Sequence, residues 1–221
     1  MEGERIAEML GVQPWLEEMA LKARLRICTS PRILHLATHG FFLPDQEWDP
    51  IENRRKRGTL SGGAGSGACG ITKPVLENPL LRSGLALAGA NTWCHGGSPP
   101  HEAEDGILTA EDVSGLDLLE TELVVLSACE TGLGEVHTGE GVFGLRRAFV
   151  LAGARALVMS LWKVPDLETR ELMEDFYRRI LDERRPPAEA LLEAQLALKK
   201  KYPDPLCWGA FIYQGDPGID S

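Results

Sequence analysis

A thiol and an imidazole, each placed just after an apolar run, are the side chains in this chain best suited to covalent chemistry. The thiol is Cys129, in the stretch Thr121-Glu-Leu-Val-Val-Leu-Ser-Ala-Cys-Glu-Thr-Gly-Leu-Gly134. Its thiolate would be a strong nucleophile even at neutral pH. Free cysteine is also among the most frequently buried residues, so this stretch alone is equally consistent with a structural cysteine. The imidazole is His39, in Ile33-Leu-His-Leu-Ala-Thr-His-Gly-Phe-Phe-Leu43. A cysteine nucleophile needs a base brought to it by the fold, not by adjacency in sequence, and His39 meets that requirement.

The elements that must position the two residues are legible as strands. Leu123–Leu126 is a short, unbroken apolar run, β-branched in its middle, which suits a central strand of a parallel sheet. Residues 33–43 read as a second buried strand ending at His39-Gly40, on what would be a neighbouring strand. Ligands and chemistry gather at the carboxyl ends of such strands. The backbone N–H groups of Gly40 and Cys129 would then form an oxyanion hole. His137 is a rival base, eight residues from Cys129, but it lies in a polar glycine-containing loop and follows no strand.

Seven segments carry a family resemblance: HLATHGFF, SGLALAGAN, DGILTAEDV, ELVVLSACETGLG, GEGVFGLRRAFVLAGAR, SLWKVPD and WGAFIYQGDP. They occur in this order and cover most of residues 32–218. Together they closely resemble the CHAT domain, the caspase-like module often found downstream of tetratricopeptide repeats. It belongs to the clan of caspases, gingipains and separase. The resemblance implies a three-layer α/β sandwich with a mostly parallel central sheet, and a catalytic dyad at His39 and Cys129. A complete domain of this kind has further strands upstream of the segment where this chain begins. The expectation is therefore the C-terminal part of a longer repeat-containing protein, with an N-terminal strand or strands lacking and one sheet edge unpaired.

Composition narrows the classes. At 221 residues with 43% hydrophobic content, the chain suits one domain with a substantial core. A net charge of −10 and a pI near 5.0 argue against a nucleic-acid partner. No apolar run reaches the length of a membrane span, and the N-terminus has no signal-peptide pattern. Five irregularly spaced cysteines do not form a disulfide framework, so a reducing cytoplasm is the expected location. Cys94, His95 and His101 match no standard zinc spacing and lack a fourth ligand, so no metal is expected. The loop before the helix at 142–152 carries Glu135 and Glu140 and no phosphate-binding pattern.

In order, residues 1–30 form an N-terminal helical segment interrupted by Gly11 and Pro14, with Leu16, Met19, Ala20 and Ala23 sharing a face of its second part. Residues 31–218 form the core, with 44–78 a flexible insertion and 219–221 a tail. The insertion contains the basic cluster Arg54–Arg57 and a Gly/Ser/Ala run, and 53–73 is expected to be disordered. A short strand is expected at 84–90, and a helix capped by Thr109 at 109–113. A helix through Val142–Ala152 closed by Gly153 and a strand at 155–161 follow. Asp166 would N-cap a helix reaching about Glu183. A helix at 188–201 stopped by Pro203 and Pro205, then a strand at 209–213, complete the chain.

SLWKVPD also resembles a segment of separase whose aspartates lie near the pocket for a basic residue before the scissile bond. That resemblance makes Asp166 a candidate substrate-binding residue as well as a helix cap. Lys163 stands where separase has an acidic residue, and would neutralise Asp166 or turn the preference towards acidic side chains. The function expected is a cysteine endopeptidase acting on a protein partner in signalling or defence, without metal or organic cofactor. A repeat region or regulatory partner is expected, and neither nucleic acid nor membrane. A non-catalytic interaction module and a thiol acyltransferase or transpeptidase are the alternatives; the last would use the same dyad.

Overall fold

The computed structural model describes residues 2–42, 78–127 and 140–217. Its centre is a four-stranded sheet in the order β1-β5-β6-β7, where β1 is Ile33–Leu36, β5 Leu123–Leu126, β6 Ala156–Ser160 and β7 Phe211–Gly215. β1, β5 and β6 run parallel, and β7 pairs antiparallel with β6. Every residue of β5 and β6 is buried, as continuous apolar runs covered on both faces should be. Among the described residues β1 and β7 are the edges of this sheet.

Two helical layers cover it, which makes the three-layer α/β architecture. On one side lie α1 (Glu2–Leu10), α6 (Asp166–Leu181) and α7 (Pro187–Lys201). Ile6, Phe176, Tyr177 and Leu191 pack there against Leu123, Val125 and Val158. On the other side lie α4 (Ala110–Ser114) and α5 (Glu140–Leu151), whose Val113, Ala148 and Phe149 meet Val124, Leu126, Leu157 and Met159. Odd and even positions of β5 thus serve opposite layers, the period-two alternation of a strand.

A second, antiparallel sheet sits beside the first in the order β2-β3-β4, with β2 His39–Phe42, β3 Ser83–Ala86 and β4 Ile107–Thr109. This corrects the expectation of one strand running from Ile33 to His39-Gly40. The chain leaves the parallel sheet after Leu36, and Thr38 Oγ1 donates to the Ala86 carbonyl, which carries the chain onto β3. β4, unexpected from sequence, leads directly into α4. There Thr109 Oγ1 accepts from the Asp112 N–H at 3.1 Å, while Asp112 Oδ2 accepts from the Thr109 N–H at 3.0 Å, a reciprocal capping box.

The N-terminal part also departs from expectation. After α1, the segment expected as one amphipathic helix is a short 3₁₀ turn at Glu17–Met19 followed by α2, Lys22–Arg26. Met19 is exposed, while Lys22 and Leu25 are the buried residues of α2. Lys22, only 4% exposed, inserts among Asp112 (2.9 Å), Asp105 (3.4 Å) and Glu104 (3.9 Å). The remaining helices are α3 (Ala90–Cys94), which follows Gly89 at φ +96°, and α8 (Pro205–Trp208), capped by Asp204. No helix among the described residues is long and apolar enough to cross a membrane.

Candidate active site

β1 and β5 are hydrogen-bonded parallel neighbours, in register from Ile33–Leu123 to Leu36–Leu126. The Ser127 N–H donates to the Leu36 carbonyl at 3.1 Å, so the two strands leave the sheet side by side. His39 follows three positions after Leu36, exposed, as the first residue of β2. Cys129, the residues around it, the rival base His137 and the segment 53–73 lie outside the described residues.

Gly40 is buried and stands opposite Leu85. The pairing pattern fixes which way its backbone polar groups turn. The Leu87 N–H donates to the Gly106 carbonyl at 2.7 Å, which marks a hydrogen-bonded pair between β3 and β4. Antiparallel pairs alternate, so Leu85 is likewise turned towards β4, while Gly84 and Ala86 turn towards β2. Ala86 therefore pairs with His39, and Gly84 with Phe41. The N–H and C=O of Gly40 then project from the outer edge of β2, where no strand pairs among the described residues.

Lys163 and Asp166 follow β6, whose parallel neighbour is β5, so their segment and His39 leave the sheet on either side of the strand that runs towards Cys129. Both side chains are exposed, whereas Val164 between them is buried. Asp166 is not the N-cap. Pro165 occupies that position and Asp166 is the first helical residue of α6, with no side-chain capping hydrogen bond. Its carboxylate still lies in the first turn, where the helix dipole favours negative charge. Trp162 anchors the segment by donating Nε1–H to the Leu206 carbonyl at 3.3 Å.

Among the described cysteines, Cys28 and Cys207 are poorly suited to nucleophilic work. Burial pushes the Cys28 thiol up, and burial with the nearby Glu168 and Asp204 carboxylates does the same to Cys207, which lowers the thiolate fraction of each. Cys94 is exposed, and its neighbour His95 donates Nδ1–H to the Asn91 carbonyl at 2.6 Å. Among the described residues no cluster of three or more His, Cys, Asp or Glu side chains has a metal-binding arrangement.

The sequence matches the CHAT domain family over residues 2–216. It is also similar to tetratricopeptide repeat protein 28 of Mus musculus, 30% identical over 215 residues, and to that of Homo sapiens, 29% identical over 224 residues. These alignments take in 95% and 97% of this chain and 8% of each relative's length. A match across nearly the whole chain, on a three-layer α/β fold whose segments follow the expected order, places the chain in the CHAT domain family, within the caspase-like cysteine-peptidase clan.

Proposed function

We propose that the chain is a cysteine endopeptidase acting on a protein partner, with Cys129 as nucleophile and His39 as general base and acid. The observation that carries this reading is the β1–β5 register. Leu36 and Leu126 are opposite one another, and His39 and Cys129 each stand three positions further along. His39 would take the Cys129 thiol proton as sulfur attacks the scissile carbonyl carbon. The carbonyl oxygen, now negatively charged, would be held by the Gly40 N–H, turned to the outer edge of β2, and by the Cys129 N–H. As the C–N bond breaks, His39 would return the proton to the leaving nitrogen, leaving a thioester. Water, deprotonated by the same imidazole, would release the acid and restore the thiol.

The test is cleavage of a protein-derived peptide pool by wild type, Cys129→Ala, His39→Ala and the double variant. Each single change should lower kcat/KM on the order of 10³-fold or more, and the double variant should be no worse than the singles. Cleavage by Cys129→Ala at the wild-type rate would refute the mechanism. Joined instead of hydrolysed peptides would identify a transpeptidase using the same two residues.

A further inference from the structure

We propose that Phe41 forms the subsite for the residue that follows the cleaved bond, and selects an apolar, above all aromatic, side chain there. The inference rests on the peptidase reading above and specifies its leaving-group side.

Residues directly opposite in a sheet share a face, and alternate residues along a strand change face. His39, Ala86 and Ile107 lie in register, and Phe41, Gly84 and Thr109 form the next row. Between the two rows, Gly40, Leu85 and Leu108 are buried towards the opposite face, where Leu85 and Leu108 join the core. His39 and Phe41 are therefore adjacent on the outward face of β2, about 7 Å apart along the strand. The exposed imidazole and the half-buried ring look out from the same surface.

The Phe41 ring lies over its cross-strand neighbour Gly84. A Cβ on Gly84 would lie 2.8 Å from both Cε1 and Cζ of Phe41, so the ring lies across the space that glycine leaves open. The placement matters because of where His39 delivers its proton. The nitrogen it protonates belongs to the residue following the scissile bond, so that residue's side chain must lie beside the imidazole. An aromatic surface one row further along the same face offers it a stacking partner. A carboxylate there would lose hydration against the ring without gaining a partner.

The experiment is digestion of a proteome-derived peptide library, with sequencing of the new N-termini, by wild type, Phe41→Ala and Phe41→Leu. Cys129→Ala supplies the background. Wild type should yield new N-termini enriched in Phe, Tyr, Trp and large aliphatic residues. Phe41→Ala should lose that enrichment and cleave the best aromatic sequence about tenfold more slowly. Its preference before the cleaved bond should stay unchanged. Phe41→Leu keeps an apolar side chain of similar bulk, and should retain aliphatic enrichment while losing the aromatic part. Cys129-dependent cleavage with the same residue profile after the bond in wild type and both variants would overturn the subsite and leave the peptidase reading intact. No Cys129-dependent cleavage by wild type would remove both.

Discussion

The phenol of Tyr177, on α6, meets the imidazole of His35, on β1, with its hydroxyl 3.0 Å from Nδ1. Tyr177 is fully buried, and burial together with the charge of Glu2 pushes its phenol up. It therefore keeps its proton, and because a carboxylate faces Nε2, the neutral ring that suits both neighbours carries its proton on Nε2 and accepts the phenol proton at Nδ1. Nε2 faces Glu2 Oε1, from α1, at 3.2 Å, a close electrostatic contact without the alignment of a good hydrogen bond. Two helices, α1 and α6, thus converge on the strand that leads to His39.

Tyr177→Phe keeps the ring, which packs edge-on against Phe176, and removes only the proton donor. The buried Nδ1 would be left without its partner, at a cost of about 1–3 kcal/mol. Urea unfolding should show that loss, with an unchanged slope if the fold is intact. Glu2→Gln should cost less, because Glu2 supplies the poorly aligned contact. Nitrogen NMR of wild type should find His35 protonated on Nε2; protonation on Nδ1 would reverse the assigned roles.

Asp112 ties the N-terminal helices to β4 and α4, and gives a pH prediction. Burial pushes its carboxyl up, but hydrogen bonds from Lys22, from the Thr109 side chain, from Arg26 and from the Thr109 N–H outweigh burial and bring it to about 2. A carboxyl depressed in the folded state stabilises the fold at pH values above its ordinary range. That contribution is lost as pH falls from about 4 through 2. The shift corresponds to about 2 kcal/mol. Asp112→Asn retains an oxygen for the capping box and removes the charge beside nearly buried Lys22. Its deficit against wild type should be largest at neutral pH and shrink by about 2 kcal/mol towards pH 2. An equal deficit at pH 7 and pH 2.5 would assign Asp112 a capping role only.

The strands at the centre of the sheet were legible because β5 and β6 are buried on both faces, and an unbroken apolar run has few other uses. The run from Ile33 to Leu43 misleads for the same reason. Neither Ala37 nor Thr38 is a turn signal, and the break between sheets is set by a hydrogen bond from Thr38 to Ala86, far along the chain. β4 is only three residues long, too short to show a period. Lys22 reads as a surface residue until Glu104, Asp105 and Asp112 arrive around it. At the candidate site, the placement of His39 just past an apolar strand was readable. That Phe41 lies over Gly84 depends on the antiparallel register of β2 and β3, which no local pattern encodes.

Asp166 and Lys163 offer a test of charge in substrate choice. Both are exposed on the segment leaving β6, and Asp166 begins α6 without capping it. Asp166→Asn should therefore cost no more than about 1 kcal/mol, the scale of a first-turn carboxylate's interaction with the helix dipole. If the carboxylate reads the residue before the cleaved bond, the same change should lower kcat/KM for arginine and lysine there about 3- to 10-fold, a surface charge contact being modest. Peptides with a neutral residue at that position should be cleaved as by wild type. Lys163→Ala should act in the opposite sense by removing the competing cation. Because both groups face solvent, the preference should weaken between 50 mM and 500 mM salt, where screening shortens the reach of exposed charges. A substrate profile in Asp166→Asn identical to wild type at low salt would leave the residue as the first-turn charge of α6 and nothing more.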